Sequence, residues 1–197
     1  TTYVGHPALA RIPFRASLRE KGPLLLLPGS RMGELRRHLP LMRAVAKRFS
    51  DHAAVEGMVL PTPRGLRDFV AAETAEWDVR PTIVSDEAGK LDAFRGAVAA
   101  VAVTGTVTLE LALAGIPMVT TYVADKGQAR RWVQYQVKFA SLPNAILDRP
   151  LVPEILGLAI DTDAVVRELA GLLDGEGATQ QLLGFGEIRR LMEEGTA

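Results

Sequence analysis

The chain has 197 residues, the upper end of one ordinary domain, and 48% of them are hydrophobic, enough to bury a sizeable core. Lys plus Arg and Asp plus Glu number 23 each, so the formal charge is zero, which argues against a general nucleic-acid-binding surface. There is no cysteine, which excludes disulfides and thiolate chemistry and fits a reducing compartment. The longest apolar run, residues 97–103, is the length of a strand and far short of a bilayer span. The first residues lack the basic segment and apolar stretch of a signal peptide. Opening at Thr1 without Met, the chain reads as a piece of something longer. No internal repeat or low-complexity tract is evident.

Short apolar runs alternate with Gly or Pro loops and helical patterns, which predicts an α/β fold with a parallel sheet between helices. The first strand is expected over 24–27. A helix over 33–49 places Leu35, Leu39, Met42, Val45 and Phe49 on one face, with a kink or short turn expected at Pro40. A second strand covers 55–60, after which Thr62 is expected to cap a helix with Pro63 at its first position. The third strand, 82–84, is followed by Ser85 as a cap, with Asp86 and Glu87 in the first helical turn. The fourth, 97–103, is apolar throughout, as in a strand covered on both faces. A helix over 107–114 closes at Gly115, a fifth strand covers 118–123, and a longer helix covers 126–139. Residues 141–147 read as a loop and a short sixth strand, and 163–174 and 179–194 as two final helices. The expected whole is one Rossmann-like, doubly wound parallel sheet of about six strands in a single domain, 1–197.

In such a sheet the first and fourth strands are commonly neighbours, and ligands bind beyond their carboxyl ends. The loops there are Pro28-Gly29-Ser30-Arg31 and Thr104-Gly105-Thr106. Glycine lets backbone approach a ligand, and each loop leads into a helix N-terminus, where free N–H groups attract anions. Arg31 adds a planar fork suited to phosphate oxygens. Taken singly, each feature is equally a tight turn, an N-cap or a solvated Arg; taken together they point to a diphosphate site. Glu110, on the first turns of the next helix, has the chemistry to accept hydrogen bonds from vicinal ribose hydroxyls, or equally to sit on an exposed face. His6, His38 and His52 show no metal spacing. His6 is taken as structural, His38, two turns beyond the first loop, as a surface residue or one facing the cleft, and His52 as a loop residue. Residues 126–139 include Arg130, Arg131, Trp132, Tyr135 and Lys138, which fits either a partly buried helix with a basic outer face or one resting on an anionic membrane surface.

Five stretches in register resemble the lipid A disaccharide synthases, bacterial glycosyltransferases of the two-domain GT-B type. They are Tyr3-Val4-Gly5-His6-Pro7; Leu27-Pro28-Gly29-Ser30-Arg31 with Glu34 and Arg37-His38-Leu39-Pro40; Thr104-Gly105-Thr106-Val107-Thr108-Leu109-Glu110 with Gly115-Ile116-Pro117-Met118-Val119; Ser141-Leu142-Pro143-Asn144; and Val152-Pro153-Glu154. The resemblance is to the C-terminal half of that family, and beyond about residue 157 it is one of helical character only.

The resemblance implies a donor, UDP-2,3-diacylglucosamine, an acceptor, 2,3-diacylglucosamine 1-phosphate, and as products the β-1,6-linked disaccharide and UDP. It implies no cofactor and no metal, because helix N-termini and basic side chains stabilise the leaving diphosphate. On this basis Gly29, Ser30 and Arg31 cradle the diphosphate; Gly105, Thr106 and Thr108 face the same group or the sugar; Glu110 holds the ribose; and Asn144 helps form the donor pocket. The acceptor site and general base belong to an N-terminal domain outside this chain, so no catalytic residue is assigned here and the chain alone is expected not to turn over. The helix over 178–194 is expected to pack across to that half. The implied setting is the bacterial cytoplasm with peripheral contact at the inner membrane, a homodimer being one option and nucleic acid none. The departures are Thr104 where Ser is usual, Val107 where Ala is usual, and Gly157 where Gln is common. The rivals are another UDP-sugar enzyme of GT-B fold, such as a UDP-N-acetylglucosamine 2-epimerase or other glycosyltransferase, and a non-catalytic module that retained the fold.

Overall fold

A computed structural model describes residues 7–125, 127, 130, 138–175 and 177–194. Six strands form one wholly parallel sheet: β1 Gly22–Leu27, β2 Val55–Pro61, β3 Thr82–Val84, β4 Ala99–Val103, β5 Met118–Val123 and β6 Glu154–Gly157. Their order is β3-β2-β1-β4-β5-β6. The chain therefore builds outward from β1 in one direction, returns past it, and builds outward in the other. Between β1 and β4, which pair from Leu24↔Ala99 to Leu27↔Ala102, successive connections diverge and a crevice opens at the carboxyl ends.

The helices are α1 Pro7–Arg11, α2 Met32–Phe49, α3 Arg67–Thr74, α4 Glu87–Gly96, α5 Thr106–Ala114, α6 Leu142–Leu147, α7 Thr162–Asp174 and α8 Gly177–Glu194. Side chains alternate across a strand, so the Leu run of β1 serves two cores. Leu24 and Leu26 join Leu35, Met42, Val101 and Leu169 on one face; Leu25 and Leu27 join Ala100, Leu111, Phe185 and Ile188 on the other. On α8, Gln181 fixes the edge of β5, accepting from Met118 N–H at 2.8 Å and donating to Met118 O at 2.9 Å. The buried face of α8 thus packs on this domain's own sheet and on α5.

Four local expectations are corrected. Of the kink or short turn expected at Pro40, the turn is absent: Pro40 lies inside α2, which runs unbroken past it. Pro40 and Arg36 are both exposed, so the Arg36 carbonyl that loses its helical donor faces water. Thr62 caps no helix: its N–H donates to Val84 O, extending the β2–β3 ladder, and the residue is buried. A single 3₁₀ turn, Arg64–Leu66, separates Pro63 from α3. The cap of α4 is Asp86 rather than Ser85, its carboxylate accepting from Gly89 N–H at 2.8 Å. Residues 141–147 are a helical turn, not a loop and strand, because Pro143 sits in the first turn, where its missing N–H costs nothing; the sixth strand comes later, at Glu154–Gly157. The helix expected over 126–139 lies mostly outside the described residues, as does His6.

Candidate functional site

The loops after β1 and β4 emerge side by side. In the first, Gly29 has φ +106°, a conformation that favours glycine, and Arg31 is the N-cap of α2. The Glu34 carboxylate folds back over this loop. Its Oε2 accepts from Ser30 N–H at 2.9 Å and Arg31 N–H at 3.2 Å, and its Oε1 from Arg31 Nη1 at 3.2 Å. In the second loop Gly105 has φ +152°, and a Cβ built there would meet open space. Backbone conformation, not crowding, is what calls for glycine at that position.

A cavity of about 530 Å³ lies between the loops, a size suited to a small-molecule ligand. Six of the eight expected residues line it: Gly29, Ser30, Arg31, Gly105, Thr106 and Glu110. Thr62, Val84, Ser85 and Lys90 close its far side. The Thr62 hydroxyl is buried there and meets no partner among the described residues.

Thr108 and Asn144, the other two expected residues, are absent from this lining. The Thr108 hydroxyl is buried, donates to Gly105 O at 2.7 Å and accepts weakly from Leu142 N–H at 3.4 Å, fixing the second loop from behind. Asn144 is spent inside the protein. Its Nδ2 donates to Val152 O and Glu154 Oε1, both at 2.8 Å, and its Oδ1 accepts from Leu151 N–H at 2.9 Å and Val152 N–H at 2.7 Å. Two donors and both acceptor sites are filled, so the amide has nothing left for a ligand. Glu154 completes this clamp by accepting from Ala140 N–H, Ser141 N–H and Ser141 Oγ at 2.6–2.9 Å.

Lys90 is the residue that sequence reasoning missed. Its Nζ stands 2.6 Å from Glu110 Oε2, and both side chains are about one-fifth exposed. No local pattern links positions twenty apart on two helices; only the fold joins them. His38 is corrected from surface to core, with its ring fully buried. Its Nε2 accepts from Val123 N–H at 2.9 Å, so the proton sits on Nδ1, 2.8 Å from Glu34 O. Burial holds this imidazole below its ordinary pKa, outweighing the opposing pull of the Glu34 carbonyl. The bond to Val123 ties α2 to β5. Four carboxylates line the cavity: Glu34, Asp86, Glu87 and Glu110. Glu34 is paired with Arg31, Glu110 with Lys90 and Glu87 with Arg11, while Asp86 caps α4. Among the described residues no cluster of His, Asp or Glu has the arrangement of a metal site.

The strand order and the crevice at the reversal define a Rossmann-like, doubly wound fold, of the kind that forms each half of a GT-B glycosyltransferase. Solved structures agree. TarM matches with a TM-score of 0.61 at 10% identity, covering 94% of this chain and 34% of that one. A TarM mutant solved in complex with UDP and other ligands matches at 0.60 and 9% identity, covering 93% and 34%. WaaG, a glycosyltransferase involved in lipopolysaccharide biosynthesis, matches at 0.51 and 16%, covering 89% and 44%.

The family model described as LpxB, lipid-A-disaccharide synthetase, matches residues 1–193. A lipid-A-disaccharide synthase of Rhodopseudomonas palustris is 37% identical over 206 residues, covering 98% of this chain and 52% of the relative. One of Nitrobacter winogradskyi is 37% identical over 210 residues with the same coverage. The chain belongs to the lipid-A-disaccharide synthetase family. It spans about half the length of the curated relatives it matches.

Proposed function

We propose that this chain is the donor-binding half of a lipid-A-disaccharide synthase and that it holds UDP-2,3-diacylglucosamine at the mouth between β1 and β4. The observation that carries this reading is the convergence of the Gly29–Arg31 and Gly105–Thr106 turns on one cavity, each turn leading into a helix N-terminus. The diphosphate lies across both turns, and Glu110, held by Lys90, presents its free oxygen to the ribose. The UDP in the TarM complex, a protein of the same fold, supports a uridine nucleotide as the ligand class.

In the whole enzyme the 6-hydroxyl of 2,3-diacylglucosamine 1-phosphate attacks the anomeric carbon, the bond from that carbon to the diphosphate breaks, and UDP departs. This half binds and orients the donor and stabilises the charge that collects on the leaving diphosphate, through backbone N–H groups, the starts of α2 and α5, and the Arg31 guanidinium. The acceptor hydroxyl's proton goes to a base supplied by the other half. UDP-sugar is substrate in this scheme, and neither metal nor cofactor takes part. Acyl chains on both substrates place the reaction beside a bilayer, with the protein at its cytoplasmic face; no helix among the described residues is long and apolar enough to cross a membrane.

Calorimetric titration of UDP into the chain tests the reading. Binding that weakens on Arg31→Ala or Glu110→Ala is the expected result. Absence of any uridine-nucleotide binding at millimolar concentration sinks it, and leaves a module that kept the fold without the ligand.

A further inference from the structure

The anion-binding donors of the first loop already hold an anion, and it belongs to the chain itself. Ser30 N–H and Arg31 N–H converge on one oxygen of Glu34, and the Arg31 guanidinium takes the other. These are the groups that the proposed function gives to the diphosphate. Gly29 is shaped for the same carboxylate: a Cβ there would stand 2.5 Å from Glu34 Oε2 and 2.6 Å from Glu34 Cβ. The space that glycine leaves open is therefore filled by Glu34 in the free domain. The charges agree. A diphosphate entering the cavity meets four carboxylates and two cations, Arg31 and Lys90, and each cation is already paired.

We propose that Glu34 is a displaceable internal anion: its side chain occupies the phosphate donors of the first loop in the free domain and is driven out by a ligand carrying a diphosphate. This inference rests on the uridine-diphosphate reading of the site. The exchange requires little else to move. The Glu34 backbone N–H stays bonded to Arg31 O at 2.9 Å, so the start of α2 survives when the side chain leaves. The Arg31 side chain is 83% exposed and turns freely toward the cavity once released.

The device also selects a class of ligand. A carboxylate tethered four residues away competes at high effective concentration, so a phosphate that touches only this loop gains little. A diphosphate that reaches across to Gly105 and Thr106 recruits donors which Glu34 never contacts, and wins. The site thereby favours diphosphates over single phosphates without a contact dedicated to that distinction.

Replacing Glu34 by Gln keeps its length and removes its charge. A purely structural capping role lowers stability and leaves UDP affinity unchanged or weaker. A displaceable anion gives opposite signs: Glu34→Gln lowers Tm, yet UDP binds about tenfold tighter, because a charge-assisted set of bonds no longer has to be broken. Uridine, which has no phosphate, serves as the control and binds both forms equally. Calorimetry of wild type and variant with UDP and with uridine reads this directly. Wild-type binding that Glu34→Gln fails to tighten overturns the inference alone; wild-type chain that binds no uridine nucleotide overturns the site reading and the inference together. Should the variant fail to fold, the carboxyl carbon shift of Glu34 in the wild-type chain, read by NMR, decides the matter. At saturating UDP it moves to that of a solvated carboxylate if displaced, and a shift that stays put overturns the inference.

Discussion

Two regions carry the polar motifs of this chain, and they treat polar atoms in opposite ways. At the mouth between β1 and β4, Arg31 is largely exposed, Gly105 faces open space, and the Thr62 hydroxyl has no partner among the described residues. At the clamp between α6 and β6, Asn144 and Glu154 satisfy each other and six further groups contributed by residues 140, 141, 151 and 152. The contrast teaches how to sort a motif. Residues whose hydrogen-bonding capacity is open, or held only by a side chain that can swing away, are the ones a ligand can use, and residues locked into buried bonds shape the frame around it. Ser-Leu-Pro-Asn is the most distinctive stretch of the sequence, and its Ser141 and Asn144 bond within the clamp.

Substitution in the two regions should separate stability from binding, and the largest effect belongs to the clamp. Asn144→Ala leaves buried Val152 N–H and Val152 O without partners, at about 1–3 kcal/mol for each group that water fails to reach. A Tm fall of many degrees in thermal denaturation is expected, and an unchanged Tm would break the comparison. Next in size is Arg31→Ala at the mouth. It should weaken UDP by about tenfold in calorimetry while leaving Tm nearly unmoved, since so exposed a side chain contributes little to folding. Lys90→Met comes third. It frees Glu110 to turn and leaves an unneutralised carboxylate beside the diphosphate, so UDP should weaken several-fold, with a smaller loss for uridine.

The fourth effect is a pH dependence set by His38. Its folded pKa lies below the ordinary value of about 6.5 because burial disfavours the imidazolium. Between that folded value and about 6.5 the unfolded chain binds a proton that the native state refuses, so stability falls as pH drops through this window and is fully present above it. Tm measured across the window should decline on acidification, and less steeply in His38→Gln; equal slopes in the two proteins would contradict the assignment. Smallest is Thr62→Val. A buried hydroxyl without a partner costs folding energy, so Tm should hold or rise slightly, while any loss of UDP affinity would mark Thr62 as part of the site.

Much of this was legible in the sequence, for a physical reason. Fully buried parallel strands must read as apolar runs, and glycines at a reversal must stand where φ is positive, so β1, β4, Gly29 and Gly105 announce themselves locally. The clamp did not. α6 is six residues long and β6 four, too short for a periodicity to show, and β6 is a half-exposed edge strand. The pairing of Asn144 with Val152, of Lys90 with Glu110 and of His38 with Val123 depends on which elements the sheet brings together, information no local window holds. Glu34 was visible as a motif letter. Its reach back over Gly29 emerged only with the α2 N-terminus in place.

The most direct test is a crystal structure of this chain with UDP. The diphosphate should lie between the two turns, within hydrogen-bond distance of backbone N–H groups at both Ser30–Arg31 and Gly105–Thr106, with the ribose at Glu110. UDP seated elsewhere on the domain, or held at the mouth with its phosphates touching neither turn, would contradict it.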